Sequence, residues 1–305
     1  MSQFKNLLDL LKTCPTEQTC IDYFKERRWK GKIISPFDST SPVYECANNR
    51  YKCKNTGKYF NVKTGTIFEN TKLSLKKWFY AFYAFFNHKK GISSHQLAKD
   101  ISITQTSAWF MLHRLRHISD CSIFRVILGN CVEIDETFIG GSNLNRHKDK
   151  KAPKTQGRNW KDKIPVWGAI ERDGNLIAQV VPDTKKRTLE PIIKDNIVKG
   201  SNVYTDEWLA YWDLSKWFNH QIVNHSIKQY VNGGATTNRI ENAWSHLKRG
   251  LNTYHWVSRK HSQKYVDEFI FRFNTRKYSE WDRFNLALSS SIGKRLTYRE
   301  LVSSC

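Results

Sequence analysis

Four short apolar runs between residues 131 and 205 constrain this chain more than anything else in it. The first lies in VEIDETFIGG (Val132–Gly141), the second is IPVWGAIE (Ile164–Glu171), the third LIAQVV (Leu176–Val181) and the fourth SNVYT (Ser201–Thr205). Each has the length and the β-branched and aromatic content of a strand. Arg172-Asp173-Gly174-Asn175 is a hairpin turn between the second and third. Arg187–Val198, with a proline inside it, reads as a helix between the third and fourth. Strand, strand, strand, helix, strand, then helices, is an α/β layout with a mixed sheet flanked by helices.

The first run poses a chemical question. Val132, Ile134, Phe138 and Ile139 can line a strand, but Glu133, Asp135 and Glu136 cannot all be buried there unpaired. Either they face water on an edge strand, or a cation sits beside one of them. Asp206, in VYTDEWLAY, ends the fourth strand, and Glu241, in TTNRIENAWSHLKRG, falls in the first turns of a later helix. The βββαβ order matches a ribonuclease-H-like sheet, in which the first and fourth strands are neighbours. Asp135 and Asp206 would then converge, and the later helix would bring Glu241 beside them. Three converging carboxylates repel unless divalent cations lie between them, and an oxygen-only set suits Mg²⁺ or Mn²⁺. Two such ions about 3.5–4 Å apart serve phosphoryl transfer by activating the attacking oxygen and stabilising the leaving one. Gly140 and Gly141 would let a DNA backbone come close.

Plainer roles stand beside these. Glu133 and Glu136 are expected on the face opposite Asp135, Asp206 can cap a helix over 207–217, and Glu241 can pair with His246 or Lys248. Residues 241, 244 and 248 share a helical face, so Lys248 can reach a phosphate beside the site, while Trp244 packs in the core or, as the alternative, stacks on a base. Asn238 lies one turn before Glu241. Beyond them, Tyr254–Val257 and Arg259–His261 interleave aromatic and basic groups, and Tyr265–Tyr278 reads as an amphipathic helix.

Charge names the partner class. Fifty Lys plus Arg against 28 Asp plus Glu give a net charge of +22 over 305 residues, which favours a polyanion, with nucleic acid the leading candidate and double-stranded DNA the partner expected once the motifs below are added. Arg146–Lys163 holds eight of these cations among Pro, Gly, Gln and Asn. It reads as a mobile basic loop whose Lys148, Lys150, Lys151 and Arg158 would contact DNA, as would Lys248 and Arg249. Gly91–His117 carries a helix-turn-helix pattern: Ser94 as cap of a helix over His95–Lys99, a turn at Ile101–Thr104, and a second helix over Gln105–Arg116. Thr104, Gln105, Thr106 and Ser107, at the start of that helix, and Arg114 further along are the expected DNA contacts. Residues 1–30 read as helical, 31–70 as small strands and turns, and Leu73–Phe86 as a buried aromatic helix.

No apolar run is long enough to span a membrane. The N-terminal residues lack the features of a signal peptide, and the seven cysteines are scattered without a CxxC pair. Reduced thiols and a cytoplasmic location follow as expectations.

The blocks NVKTGTIFENTKLSLKKWFYAFY, VEIDETFIGG, VYTDEWLAY, IVNHS, TTNRIENAWSHLKRGLNTYHWVS and YVDEFIFRFNTR occur in this order. In them the chain resembles DDE-type insertion-sequence transposases with an ISXO-like catalytic domain, related to the Merlin elements. The resemblance runs from about residue 18 to 280. It implies a ribonuclease-H-like catalytic domain over 125–285 and a helix-turn-helix region over 73–120. A zinc-ribbon-like segment would lie within 1–72 and a tail over 286–305. It implies Asp135 and Asp206 as metal-binding aspartates, Glu241 or Asn238 in the third place, and Lys248 as the basic residue that follows. Relatives carry two CxxC pairs in the ribbon. Here those positions read Ser35-Pro36-Phe37-Asp38 and Cys53-Lys54-Asn55-Thr56, so a metal-free knob is expected and zinc is not. The implied activity is binding of terminal inverted repeats, metal-dependent cleavage and strand transfer, by a homodimer or larger assembly. A nuclease of the same fold and a catalytically dead repressor of the element are the alternatives.

Overall fold

The computed structural model describes residues 3–120, 126–140, 148, 163–223 and 236–303. The chain divides into two compact units, Met1–Ser119 with Lys277–Cys305, and Asp120–Arg276.

The first unit opens with α1 (Leu7–Thr13) and α2 (Glu17–Trp29), each with a side-chain N-cap, Asn6 and Thr16. Strands β1 (Val43–Cys46), β2 (Arg50–Cys53) and β3 (Tyr59–Asn61) form an antiparallel sheet in that order, with the expected turn at Lys54–Gly57 between the last two. Cys53 is buried against this sheet. Burial pushes its thiol up, but hydrogen bonds with the hydroxyls of Ser35, Ser41 and Thr56 outweigh that and leave it at about 6. Asp38 is engaged by Thr40 and by Asn55 Nδ2. One thiol ringed by hydroxyls is not a zinc donor set. Helix α3 (Leu75–Asn87) buries nine residues, Leu75 and Trp78 through Phe86 except Tyr80, and is a core element as its composition requires.

Helices α4 (Ser94–Asp100) and α5 (Gln105–Ser119) are joined by a four-residue turn. The cap of α4 is Ser93, which accepts from Gln96 N–H, and not Ser94; the Ser94 hydroxyl instead accepts from Gln105 Nε2 and ties the two helices.

The second unit is built on a five-stranded mixed sheet of β4 (Cys131–Ile139), β5 (Ile164–Glu171), β6 (Leu176–Val180), β7 (Asn202–Thr205) and β8 (Asn219–Ile222). Its spatial order is β6-β5-β4-β7-β8; the β4–β5 and β5–β6 pairs are antiparallel, and the β4–β7 and β7–β8 pairs parallel. Alternation along β4 and β5 splits the core. Val132, Ile134, Trp167 and Ala169 face α6 (Lys186–Asn196) through Leu189 and Ile193. Ile139, Val166 and Ile170 face α7 (Asn238–Leu251) and α8 (Ser262–Asn274). Side chains of α8 also satisfy the edge of β6: Asn274 Oδ1 and Nδ2 bond Leu176 N–H and C=O, and Gln263 accepts from Val180 N–H.

The chain then returns to the first unit with α9 (Glu280–Ser290) and α10 (Tyr298–Ser303). Residues 277–285 were expected to close the catalytic domain and 286–305 to trail as a tail. Instead Phe284 packs on Phe4, Tyr23, Phe79 and Phe82. The sequence signal was present in Phe284, Ala287 and Leu288, which lie at helical spacing and are fully buried.

Candidate active site

Strand β4 sends its three acidic side chains to three different tasks. Period-two alternation places Glu133 with Asp135 on one face and Glu136 on the other. The expectation that Glu133 points away from Asp135 is therefore corrected. Glu133 is fully buried, and its Oε2 accepts from the backbone N–H groups of Arg239 (2.9 Å) and Ile240 (3.2 Å). These belong to the first turn of α7, whose N-cap Thr237 supplies no side-chain cap. A carboxylate brought from the sheet thus does the work of a cap, at the end of the helix where negative charge is favoured. Burial pushes the Glu133 carboxyl up, and the two N–H donors with Arg172 and Arg239 pull against it. Glu136, on the opposite face, accepts from the Tyr211 hydroxyl at 2.5 Å.

Asp135 pairs across the sheet with Gly168 of β5. The Trp244 indole of α7 lies over that glycine and donates from Nε1 to Asp135 Oδ2 at 3.1 Å. A Cβ at Gly168 would stand 2.4 Å from the Trp244 ring, so the strand needs glycine there for the indole to reach the aspartate.

Asp206 follows the end of β7, the strand that pairs in parallel with β4. Along the β4–β7 pair, Cys131 faces Asn202, Val132 faces Val203 and Glu133 faces Tyr204, a constant offset of 202 − 131 = 71. The same offset carries Asp135 to Asp206 (206 − 135 = 71). The paired stretch stops at Glu133 and Tyr204, and Asp206 follows directly on Thr205, the last residue of β7. Asp206 is 8% exposed, and its Oδ1 accepts from Trp208 N–H at 3.0 Å. The segment that follows is a 3-10 helix over Leu209–Lys216 rather than an α-helix, with Trp208 at its N-cap and no side-chain cap, so the expected capping by Asp206 is corrected. The fully buried Tyr211 of that segment reports the shared locality. Its hydroxyl is pushed well up by burial and by the charges of Glu136, Asp135 and Asp206 together.

Helix α7 runs along β4 in the same direction. Ile240 meets Glu133 and Trp244 meets Asp135. Four helical residues rise about 6 Å and two strand residues about 6.7 Å, so the ties stay in step. Further on, Lys248 and Leu251 line a groove with Phe138 and Ile139. Glu241 is exposed on the flank of this helix and accepts from the Thr237 hydroxyl at 3.2 Å. Asn238 is exposed at the helix start, in a cleft shared with Asp173, Arg239 and His246 by the β5–β6 hairpin. Among the described residues, no three His, Cys, Asp or Glu side chains are gathered closely enough to hold a metal ion. Asp135 and Asp206 are oxygen donors, the ligand type that Mg²⁺ and Mn²⁺ take.

The remaining expected contacts fall in several places. Thr104, Gln105, Thr106 and Ser107 are all exposed at the start of α5, with Thr104 Oγ1 accepting from Ser107 N–H. Arg114 is corrected: it is buried, and its guanidinium donates to the carbonyls of Ile67, Glu69 and Leu296 within its own unit. It is a strut, not a surface contact. Lys148, Lys248 and Arg249 are exposed, whereas Lys150, Lys151 and Arg158 lie outside the described residues. Sequence reasoning missed Glu133 and Gly168. A glycine in the middle of an apolar strand was the available signal for the second.

A family model described as an ISXO2-like transposase domain matches residues 127–274. Over 277 residues the chain is 28% identical to an uncharacterized protein in transposable element ISH50 of Halobacterium salinarum, covering 86% of this chain and 92% of that one. It is 36% identical over 102 residues to an uncharacterized transposase-like protein of Haemophilus influenzae, covering 31% of this chain and 77% of that one. Among solved structures, a pre-cleavage Mos1 transpososome aligns with a TM-score of 0.29 at 13% identity, over 72% of this chain and 80% of that chain. No described helix is long and apolar enough to cross a membrane.

Proposed function

We propose that this chain, which belongs to the insertion-sequence transposases with an ISXO2-like transposase domain, binds the DNA ends of its element and cuts and joins strands at Asp135 and Asp206. The observation that carries this reading is the 71-residue register of the β4–β7 pair, which, continued two residues beyond its last pair, would bring two aspartates distant in sequence side by side. The strand order, three antiparallel strands continued by two parallel ones, supports a ribonuclease-H-like catalytic domain. Glu241 is the third carboxylate of the proposal. It stands three residues before Trp244, whose indole touches Asp135, whereas Asn238 is a turn further back beside the hairpin.

Asp135 and Asp206 would hold Mg²⁺ or Mn²⁺, which when bound supplies the positive charge that activates an oxygen nucleophile and steadies the leaving oxygen. The chain's own residues do the positioning. The Trp244 N–H fixes one carboxylate and the Trp208 N–H the other. Glu133 holds the helix that carries Trp244, Glu241 and Lys248. Lys248 offers a cation to a phosphate beside the site. Recognition of the element ends falls to the start of α5, through Thr104 to Ser107, with the +22 charge drawing in the duplex. Paired ends imply a homodimer or larger assembly.

The test uses a labelled duplex of the DNA flanking the gene, a supercoiled plasmid and Mg²⁺, with Asp135→Ala beside the wild-type chain. Metal-dependent joining of the labelled end to plasmid, lost in the variant, is the expected result. Cutting without joining would mean a nuclease, and binding with neither would mean a DNA-binding repressor.

A further inference from the structure

The groove at the far end of β4 is not accounted for by the two aspartates. It has a volume of about 520 Å³ and runs between Phe138–Gly140 and the C-terminal turn of α7, with Ile164, Lys248, His255, Trp256 and Arg259 on its walls. That size is ordinary for a site that takes a flat heterocycle. Its rim carries Trp256, which is 77% exposed, more than any other large hydrophobic side chain among the described residues.

The backbone presents this tryptophan at a cost. His255 has φ +58° and ψ −53°, and Trp256 N–H donates to Tyr254 C=O at 2.6 Å. This is a γ-turn of the rare, strained hand. Such strain persists only where the surroundings enforce it. Here they do: the Tyr254 hydroxyl donates to the buried Glu268, which also pairs with the buried Arg272, and the Tyr254 ring packs on Tyr265 at 4.9 Å. Arg259, on the same wall, donates to Lys163 C=O at 3.1 Å, next to the start of β5. An indole displayed from a fixed turn, with Lys248 and Arg259 lining the same groove, has the chemistry of a base-stacking platform beside a phosphate track.

We propose that this groove takes an unpaired nucleobase of the DNA strand being processed, stacked on Trp256, with Lys248 and Arg259 on the flanking phosphates. The inference rests on the reading of Asp135 and Asp206 as the cutting site. Phe138 to Gly140 lie three to five residues along the same strand from Asp135, roughly 10–17 Å. A strand crossing the aspartates therefore passes the groove within a few nucleotides, and its base must leave the helical stack to enter.

The experiment compares two DNAs, a blunt duplex of the element end and the same duplex with a single-stranded overhang, bound by the full chain without divalent metal. The wild-type chain should prefer the overhang by about tenfold or more. Trp256→Ala should lose that preference while binding the blunt duplex as before, and Trp256→Phe should keep most of it. Unchanged thermal melting would show that both variants fold. A wild-type chain without the preference, or an alanine variant that keeps it, would overturn the groove assignment alone. Absence of salt-sensitive binding to either DNA would overturn the transposase reading as well. Loss of self-association in Trp256→Ala with the overhang preference intact would assign the tryptophan to a second copy instead.

Discussion

Glu133 and Asp135 share a face and differ completely in what holds them. One is sealed in the core with two backbone N–H groups on it; the other takes an indole N–H where β7 gives out. Glu133→Ala would strand those two donors, so unfolding in urea should report a loss of at least roughly 2 kcal/mol. Glu133→Gln, which keeps an acceptor, should lose less. Gly168→Ala drives a methyl group into the Trp244 ring. It should cost roughly 1–3 kcal/mol and reduce strand cleavage, because the indole that steadies Asp135 must move. The places of Asp135 within β4 and of Asp206 just after β7 were legible in the sequence, since the apolar runs around them mark the strands. The partners were not. Trp244 was rightly expected in the core, but its bond to Asp135 depends on the β4–β5 register and on the tilt of α7, which no local pattern encodes. Glu133 was legible in principle, because alternation alone puts residues 133 and 135 on one side.

At the scale of elements, α7 and β4 act as a ruler and its guide. Their ties at Glu133 and Asp135 keep step because four helical and two strand residues advance by nearly equal lengths. The five-stranded sheet was readable for four of its strands, since each had length, alternation and a turn signal. Strand β8, NHQI, is short and mostly polar and gave no such signal; its backbone pairing with β7 defines it. The helix pair α4–α5 was likewise readable, apart from its cap and from Arg114. Thr106 and Arg114, both on α5, differ in what they predict. Thr106→Ala, on the exposed start of α5, should weaken binding to the element end by up to about 1–3 kcal/mol without changing the melting temperature. Arg114→Ala leaves buried carbonyls without their donor. It should lower the melting temperature and leave the choice of DNA sequence unaltered.

Over the whole molecule, charge sets the terms of binding and the sheet sets the chemistry. On the proposed function, a net charge of +22 should make affinity for DNA fall steeply with salt. If Lys248 touches a phosphate, Lys248→Ala should reduce the slope of log K against log salt by about 1, with little change in sequence preference. The helix α9 shows how order along the chain misplaces a boundary: its aromatic face belongs with the first unit's aromatics, although in sequence it follows directly on the second unit. The central claim is that Asp135 and Asp206 form one cation site. Titration of Mn²⁺ into the full chain, followed by electron paramagnetic resonance of the unbound ion, tests it most directly. The wild-type chain should bind Mn²⁺, and Asp135→Ala and Asp206→Ala should each weaken that binding strongly while both variants remain folded. Unaltered Mn²⁺ binding in either folded variant would contradict the account.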